Sequence, residues 1–132
     1  MAAKKRILVA EDEPDIRGLI VFTLQYAGFE VVEAFNGQDA VEKAAVVKPD
    51  LILLDVRMPK MTGYEACQVL KAEEATRPIP VIFLSARGQD AEVKFGLELG
   101  AEEYILKPFA PDDLLRRVDS IFQRLARSGV ES

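Results

Sequence analysis

The sequence has no histidine, and Cys67 is its single cysteine among 132 residues. Without histidine, a Ser-His-Asp triad, a histidine general base and a metal site with histidine ligands are all excluded. A single cysteine excludes an internal disulfide and a zinc site built from cysteines. It also fits a reducing compartment, where thiols stay unpaired. The candidates for chemistry are therefore the acidic, hydroxyl and basic side chains.

Long apolar runs are missing as well, and none could span a bilayer. Residues 1–6 lead straight into a short apolar segment, without the longer apolar region of a signal peptide. The net charge of −5 comes from interspersed acids and bases, so a broad basic surface for nucleic acid is lacking. We therefore expect a cytoplasmic protein that contacts neither a membrane nor nucleic acid directly.

Short apolar runs alternate with segments of helical periodicity along the chain. This alternation predicts an α/β fold, a five-stranded parallel sheet with helices on both faces. We expect a single domain over residues 1–132, with a core over about 5–126 and a short polar tail at 127–132. The predicted strands are residues 7–10, 31–34, 51–54, 81–84 and 104–106, and the predicted helices are residues 16–27, 40–45, 64–75, 90–99 and 111–127.

Polar residues directly follow four of the predicted strands: Glu11 and Asp12, Asp55, Ser85 and Lys107. These positions meet at the carboxyl edge of a parallel sheet, where such folds bind ligands. Clustered carboxylates repel one another, and Mg²⁺, which prefers oxygen ligands, removes that repulsion. Lys107 can neutralise further charge, and Ser85 can donate to a phosphoryl oxygen. The set predicts phosphoryl transfer to a carboxylate.

Four motifs at these strand ends resemble those of the receiver domains of two-component response regulators. They are VAEDE at residues 9–13, LLDVRMPKMTG at 53–63, LSA at 84–86 and KPF at 107–109. The resemblance implies a flavodoxin-like (βα)5 fold with the strand order 2-1-3-4-5. It also implies that Asp55 accepts a phosphoryl group in a Mg²⁺-dependent reaction and that the domain then changes conformation to signal.

The resemblance assigns the metal ligands and the phospho-acceptor. Asp55 is the expected acceptor, and Mg²⁺, or Mn²⁺ in its place, is expected to bind Glu11, Asp12, Asp55 and the backbone carbonyl of Arg57. Many receivers have aspartate at the position of Glu11, so the longer side chain contacts the metal either directly or through water.

The remaining roles belong to the phosphoryl contacts and the switch. The resemblance implies that Ser85 and Lys107 bind the phosphoryl group, that Ser85 and Tyr104 form the switch, and that the Lys107–Pro108 bond is cis. Plainer interpretations are a helix N-cap for Ser85 and simple packing for Tyr104. Arg57 and Arg87 border the site, and we expect them either to affect phosphoryl lifetime or to be solvated.

The expected partners follow from the same resemblance. A sensor histidine kinase or a histidine phosphotransfer protein would supply the phosphoryl group. A homodimer would form through the fourth helix, the fifth strand and the fifth helix, with Glu103 and Arg117 pairing across the interface. The domain would be regulatory rather than an enzyme, promoting only its own phosphorylation and dephosphorylation.

Other functions fit less well. Haloacid-dehalogenase-like phosphatases need a second aspartate where this chain has Arg57. A nucleotide or flavin binder would need a glycine-rich phosphate loop, which the sequence lacks. The complete set of acids, hydroxyl and lysine argues against a degenerate receiver. A stand-alone scaffold or phosphate-sink receiver with no dedicated output domain stays open as the alternative.

Overall fold

The computed structural model describes residues 4–86 and 90–128. Strands and helices alternate along them, as predicted. The strands are β1 (Arg6–Ala10), β2 (Glu30–Ala34), β3 (Leu51–Asp55), β4 (Val81–Ser85) and β5 (Glu103–Leu106). The helices are α1 (Pro14–Tyr26), α2 (Gly37–Val47), α3 (Gly63–Ala72), α4 (Asp90–Glu98) and α5 (Pro111–Ser128). In these two ranges, no helix is both long and apolar enough to cross a membrane.

All five strands pair in parallel, in the order β2-β1-β3-β4-β5. This order confirms the expected fold class and topology. Strands β3 and β4 are buried along their whole length, because helices cover both faces of the sheet. The sheet therefore carries its apolar side chains on both sides and leaves its carboxyl edge open.

The core has two layers, one on each face of the sheet. Alternate residues of each central strand point to opposite faces, so Leu8 and Ile52 belong to one layer and Ile7 and Leu53 to the other. Helices α1 and α5 cover the second layer, and α2 and α3 cover the first. The loops at the carboxyl edge therefore follow strands whose two faces are both packed.

Helix α3 ends at Ala72, three residues before the predicted end. The Thr76 hydroxyl is buried and donates to the Leu70 carbonyl at 2.7 Å. The Arg77 guanidinium donates to the carbonyls of Lys71 and Ala72. These side chains satisfy the last carbonyls of the helix, so the chain can leave the helical path early.

Candidate functional site

The predicted polar residues gather at the carboxyl edge of the sheet. Glu11 directly follows β1, Asp55 ends β3 and Ser85 ends β4, and all three are buried. Lys107 directly follows β5, beside Ser85, whose carbonyl accepts a hydrogen bond from the Lys107 amide at 2.8 Å. Asp12 lies next to Glu11 in the β1–α1 loop and is exposed. The parallel register of the central strands thus brings together residues that are far apart in sequence.

Lys107 lies between two buried carboxylates. Its Nζ is 2.9 Å from Glu11 Oε1 and 3.0 Å from Asp55 Oδ1, and it donates a hydrogen bond to the Asp55 oxygen. Burial raises the pKa of both carboxyl groups, although Lys107 partly offsets the effect. Burial alone would lower the Lys107 pKa, but its contacts with Glu11 and Asp55 raise it. The site therefore holds more negative charge than one lysine neutralises.

The carboxylates are arranged to accept a hard cation. One oxygen from each of Glu11, Asp12 and Asp55 lies within 4.8 Å of the others. Buried Glu11 Oε1 forms an ion pair with Lys107, and among the described residues no further donor reaches this oxygen. An all-oxygen set with one exposed member suits Mg²⁺, which prefers oxygen ligands and retains several waters. The donors therefore fit the magnesium ion predicted from the sequence.

The β3–α3 loop is packed tightly behind Asp55. The Gly63 amide donates to the Val56 carbonyl at 2.9 Å, and a Cβ at Gly63 would lie only 2.3 Å from the Asp55 carbonyl oxygen. Thr62 and Glu65 form a capping box at the start of α3. These contacts fix the backbone that carries the Asp55 carboxylate and leave little room for it to shift.

An open cleft of about 520 Å³ lies beside the acids. Asp12, Arg57 and Tyr64 are among its lining residues. The Arg57 side chain is exposed at this rim. Arg87, which was expected to border the site with Arg57, lies outside the described residues. The cleft therefore lies between the exposed acid Asp12 and the β3–α3 loop that follows Asp55.

Tyr104 lies in β5, away from the carboxylates, with its ring in the core at 8% exposure. Its hydroxyl is 3.0 Å from the hydroxyl of Tyr64 on α3. The Tyr64 ring meets Phe83 and Phe95 edge-on, with centroid distances of 5.0 Å to each. Burial, followed by the bond to Tyr104, raises the Tyr64 pKa. Tyr64 was missed in the sequence because nothing near residue 64 indicates a contact with residue 104.

Arg17 is a second residue that the sequence analysis missed. It lies on α1, and its Nη1 donates to the Glu11 carbonyl at 2.8 Å. A basic residue near the start of a helix opposes the helix dipole. An arginine in this unfavourable position, five residues after an acid pair, was the feature of the sequence that could have pointed to a contact with the loop.

The peptide bond between Lys107 and Pro108 is cis, as the resemblance implied.

Comparisons with known proteins show the family to which this chain is similar. The model of the response regulator receiver domain family matches residues 7–119. The phosphate regulon transcriptional regulatory protein PhoB of Klebsiella pneumoniae is 43% identical over 127 residues, which cover 96% of this chain and 56% of the relative. The chain spans about half the length of the curated relatives it matches.

Solved receiver structures are similar in fold. Chemotaxis response regulator CheY4 of Vibrio cholerae superposes with a TM-score of 0.86 at 31% identity, covering 90% of this chain and 99% of that chain. The receiver domain of sensor histidine kinase PA1611 from Pseudomonas aeruginosa PAO1 has a TM-score of 0.83 at 32% identity, covering 89% and 97%. That receiver holds a magnesium ion in its active site cleft.

Proposed function

The chain belongs to the response regulator receiver domain family, and from this premise we propose that it accepts a phosphoryl group on Asp55 in a Mg²⁺-dependent reaction. The observation that carries the proposal is the position of the Asp55 carboxylate. It is buried, hydrogen-bonded to Lys107 and close to two further acids. This is the environment that an acyl phosphate needs, with a cation on one side and a metal-binding set on the other.

The proposed reaction is a displacement at phosphorus. An Asp55 carboxylate oxygen attacks the phosphorus atom and forms a new O–P bond. The bond from phosphorus to the donor's leaving group breaks, and its electron pair leaves with that group. Lys107 neutralises charge on the phosphoryl oxygens, and the Ser85 hydroxyl donates to one of them.

Glu11, Asp12 and Asp55, with the backbone carbonyl of Arg57, would hold the Mg²⁺ ion. When bound, Mg²⁺ supplies positive charge that offsets the negative charge of the acids and of the incoming phosphoryl group. Mn²⁺, which also takes oxygen ligands, is the alternative metal.

Ser85 and Tyr104 are the proposed switch. Phosphorylation at Asp55 draws the Ser85 hydroxyl toward the phosphoryl group, and Tyr104 follows into the space that Ser85 leaves. Tyr104 is already largely buried in this structure, so phosphorylation would act by favouring this inward position over an outward one.

The proposed phosphoryl donors are a sensor histidine kinase or a histidine phosphotransfer protein. The PhoB relative is a transcriptional regulator about twice as long as the match, which favours a receiver that controls an attached or separate output. The stand-alone phosphate-sink receiver is the alternative. Three further properties also stay predictions. They are a regulatory role without turnover of a separate substrate, a single receiver domain and a cytoplasmic location.

Intact mass spectrometry tests the proposal. The protein is incubated with acetyl phosphate and Mg²⁺, and we expect one phosphoryl adduct that is lost in Asp55→Asn and with EDTA. Asp50→Asn is the matched control, because Asp50 is exposed and precedes the opposite end of the same strand. An adduct that persists in Asp55→Asn, or that never forms in the wild-type protein, contradicts the proposal.

A further inference from the structure

Arg17 joins the acidic β1–α1 loop to the edge strand of the sheet. Its Nη1 donates to the Glu11 carbonyl at 2.8 Å and is 3.4 Å from the Asp12 carbonyl. Its Nε pairs with Glu33 Oε1 on β2 at 3.1 Å. One guanidinium thus bonds to the backbone of both loop acids while a strand on the other side holds it.

The Arg17 side chain is held in place by its surroundings. It is only 16% exposed, and its guanidinium stacks over the Phe35 ring at 4.6 Å. Lys43 lies over the same ring at 5.0 Å and donates to the Glu33 carbonyl at 2.6 Å. An arginine with this many partners has few rotamers open to it, so it can hold the loop in a fixed position relative to β2.

The carboxylates of Glu11 and Asp12 depend on the peptide groups that Arg17 contacts. Besides its ion pair with Lys107 at 2.9 Å, the Glu11 carboxylate accepts a long bond from the Glu13 amide at 3.3 Å. The Glu11 amide donates to the Ala34 carbonyl, also at 3.3 Å. The 2.8 Å bond from Arg17 is shorter than both amide bonds, and its donor is a side chain.

We propose that Arg17 is a positioning residue for the metal site, which fixes the loop so that Glu11 and Asp12 present their oxygens beside Asp55. The inference rests on the proposed function, because it concerns the affinity for the Mg²⁺ that phosphorylation needs. Arg17 touches neither the metal nor the phosphoryl group. It acts through the backbone, as residues that orient metal ligands from behind do.

The charge of Arg17 and its contact with the loop predict opposite effects on Mg²⁺ affinity when Arg17 is replaced. A positive charge near the acids repels a second cation, so its removal would tighten Mg²⁺ binding if charge alone mattered. If Arg17 orders the loop, its removal lets the acids spread and weakens binding instead. The direction of the change therefore separates the two roles.

The test is a Mg²⁺ titration of Arg17→Met, followed by calorimetry or by NMR shifts of the loop amides. Methionine keeps much of the packing over Phe35 but cannot donate. We expect an affinity about 10-fold weaker, the lower end for residues that orient metal ligands. Arg6→Met is the matched control, because Arg6 also pairs with a glutamate of β2, Glu30, but at the amino end of the sheet, opposite the acids. Its Mg²⁺ affinity should match the wild type.

Arg17→Lys provides the second variant. It keeps the charge and a single donor nitrogen but lacks the planar fork that reaches the loop and Glu33 together. Its affinity should fall between those of the wild type and Arg17→Met. If Arg17→Met does not fold, a wild-type affinity in Arg17→Lys overturns the inference.

The outcomes distinguish this inference from the function on which it rests. A wild-type protein that does not bind Mg²⁺ overturns the proposed function, and the inference with it. A wild-type protein that binds Mg²⁺ and forms the adduct, together with an Arg17→Met variant of equal or tighter affinity, overturns the inference alone.

Discussion

At the scale of single residues, Asp55 and Glu11 place two acids in one buried site. Burial raises the pKa of both groups, which means that their charged forms are less favourable in the folded protein than in water. Lys107 contacts both and offsets part of this cost. Keeping both acids charged in this site therefore lowers the stability of the folded protein. The proposed reaction uses that negative charge.

Asp55→Asn should stabilise the metal-free protein. The amide is nearly the same shape and removes one of the clustered charges, and we expect a gain of about 1 kcal/mol in the free energy of unfolding. Urea denaturation in EDTA measures it, with Asp50→Asn as the control that should change little. Saturating Mg²⁺ should shrink or reverse the difference, because only the wild type keeps the full ligand set. A lower midpoint for Asp55→Asn in EDTA would contradict this account.

Cys67 is buried on α3, and burial raises the pKa of its thiol. Since the thiolate is the reactive form, we expect alkylation of the native protein at pH 8 to be at least about 100-fold slower than in denaturant. The rate in the native state should rise as the pH increases toward the raised pKa. Mass spectrometry after iodoacetamide treatment measures this rate. Fast native labelling at neutral pH would show that the thiol is accessible.

At the scale of elements, substitution by alanine should have opposite effects on stability at two glycines. A Cβ at Gly63 would lie 2.3 Å from the Asp55 carbonyl oxygen, whereas a Cβ at Gly18 in α1 would meet nothing within 4 Å. We expect Gly63→Ala to cost about 2 kcal/mol or more, because backbone must move. Gly18→Ala should add about 0.5–1 kcal/mol, because alanine favours the helix. Thermal unfolding of both variants checks the pair, and equal shifts would contradict it.

The contact between α3 and β5 holds Tyr104 inward. Tyr64→Phe removes the hydroxyl that lies 3.0 Å from the Tyr104 hydroxyl, at a cost of about 1 kcal/mol to the inward position. We therefore expect Tyr104 to spend more time exposed.

NMR of labelled tyrosines with a soluble paramagnetic agent measures that exposure, since the chain has three tyrosines. Tyr26→Phe is the control, because Tyr26 is 84% exposed on α1 and should leave the Tyr104 signal unchanged. Equal protection of Tyr104 in Tyr64→Phe and in the wild type would show that the Tyr64 hydroxyl does not hold it inward.

At the scale of the whole molecule, the face formed by α4, β5 and α5 exposes Phe95, Leu97 and Leu106. Arg117 pairs with Glu103 at 2.9 Å within the chain, so the pair expected across an interface is already formed inside one protomer. In a dimer this pair would have to exchange partners or stay intramolecular, and the apolar residues would then supply most of the buried area.

Sedimentation velocity tests dimerisation through this face. We expect a monomer without phosphorylation and a dimer with Mg²⁺ and beryllofluoride, a phosphoryl mimic. Leu106→Glu should weaken the dimer by at least about 10-fold, because it places a charge in an apolar contact. Val46→Glu is the control, since Val46 is 83% exposed on α2. A monomer under both conditions at high concentration would count against the homodimer.

Much of the fold could be predicted because its causes are local. The apolar run at residues 51–54 and the alternation of strands and helices follow from spacing along the chain. The ends of the elements depend on contacts between residues outside the periodic pattern. Helix α3 stops at Ala72 because Thr76 and Arg77 turn back onto its last carbonyls, and no periodicity records such a contact.

For the candidate site, the sequence by itself determined which residues reach the edge. Asp55, Ser85 and Lys107 end or follow buried strands, and parallel pairing brings strand ends together. The tertiary structure alone decided what supports them. Arg17 bonds to the Glu11 carbonyl and to Glu33, and Tyr64 bonds to Tyr104 across 40 positions of sequence. Such contacts depend on side-chain directions set by packing, and those directions exist only once the two layers have closed on the sheet.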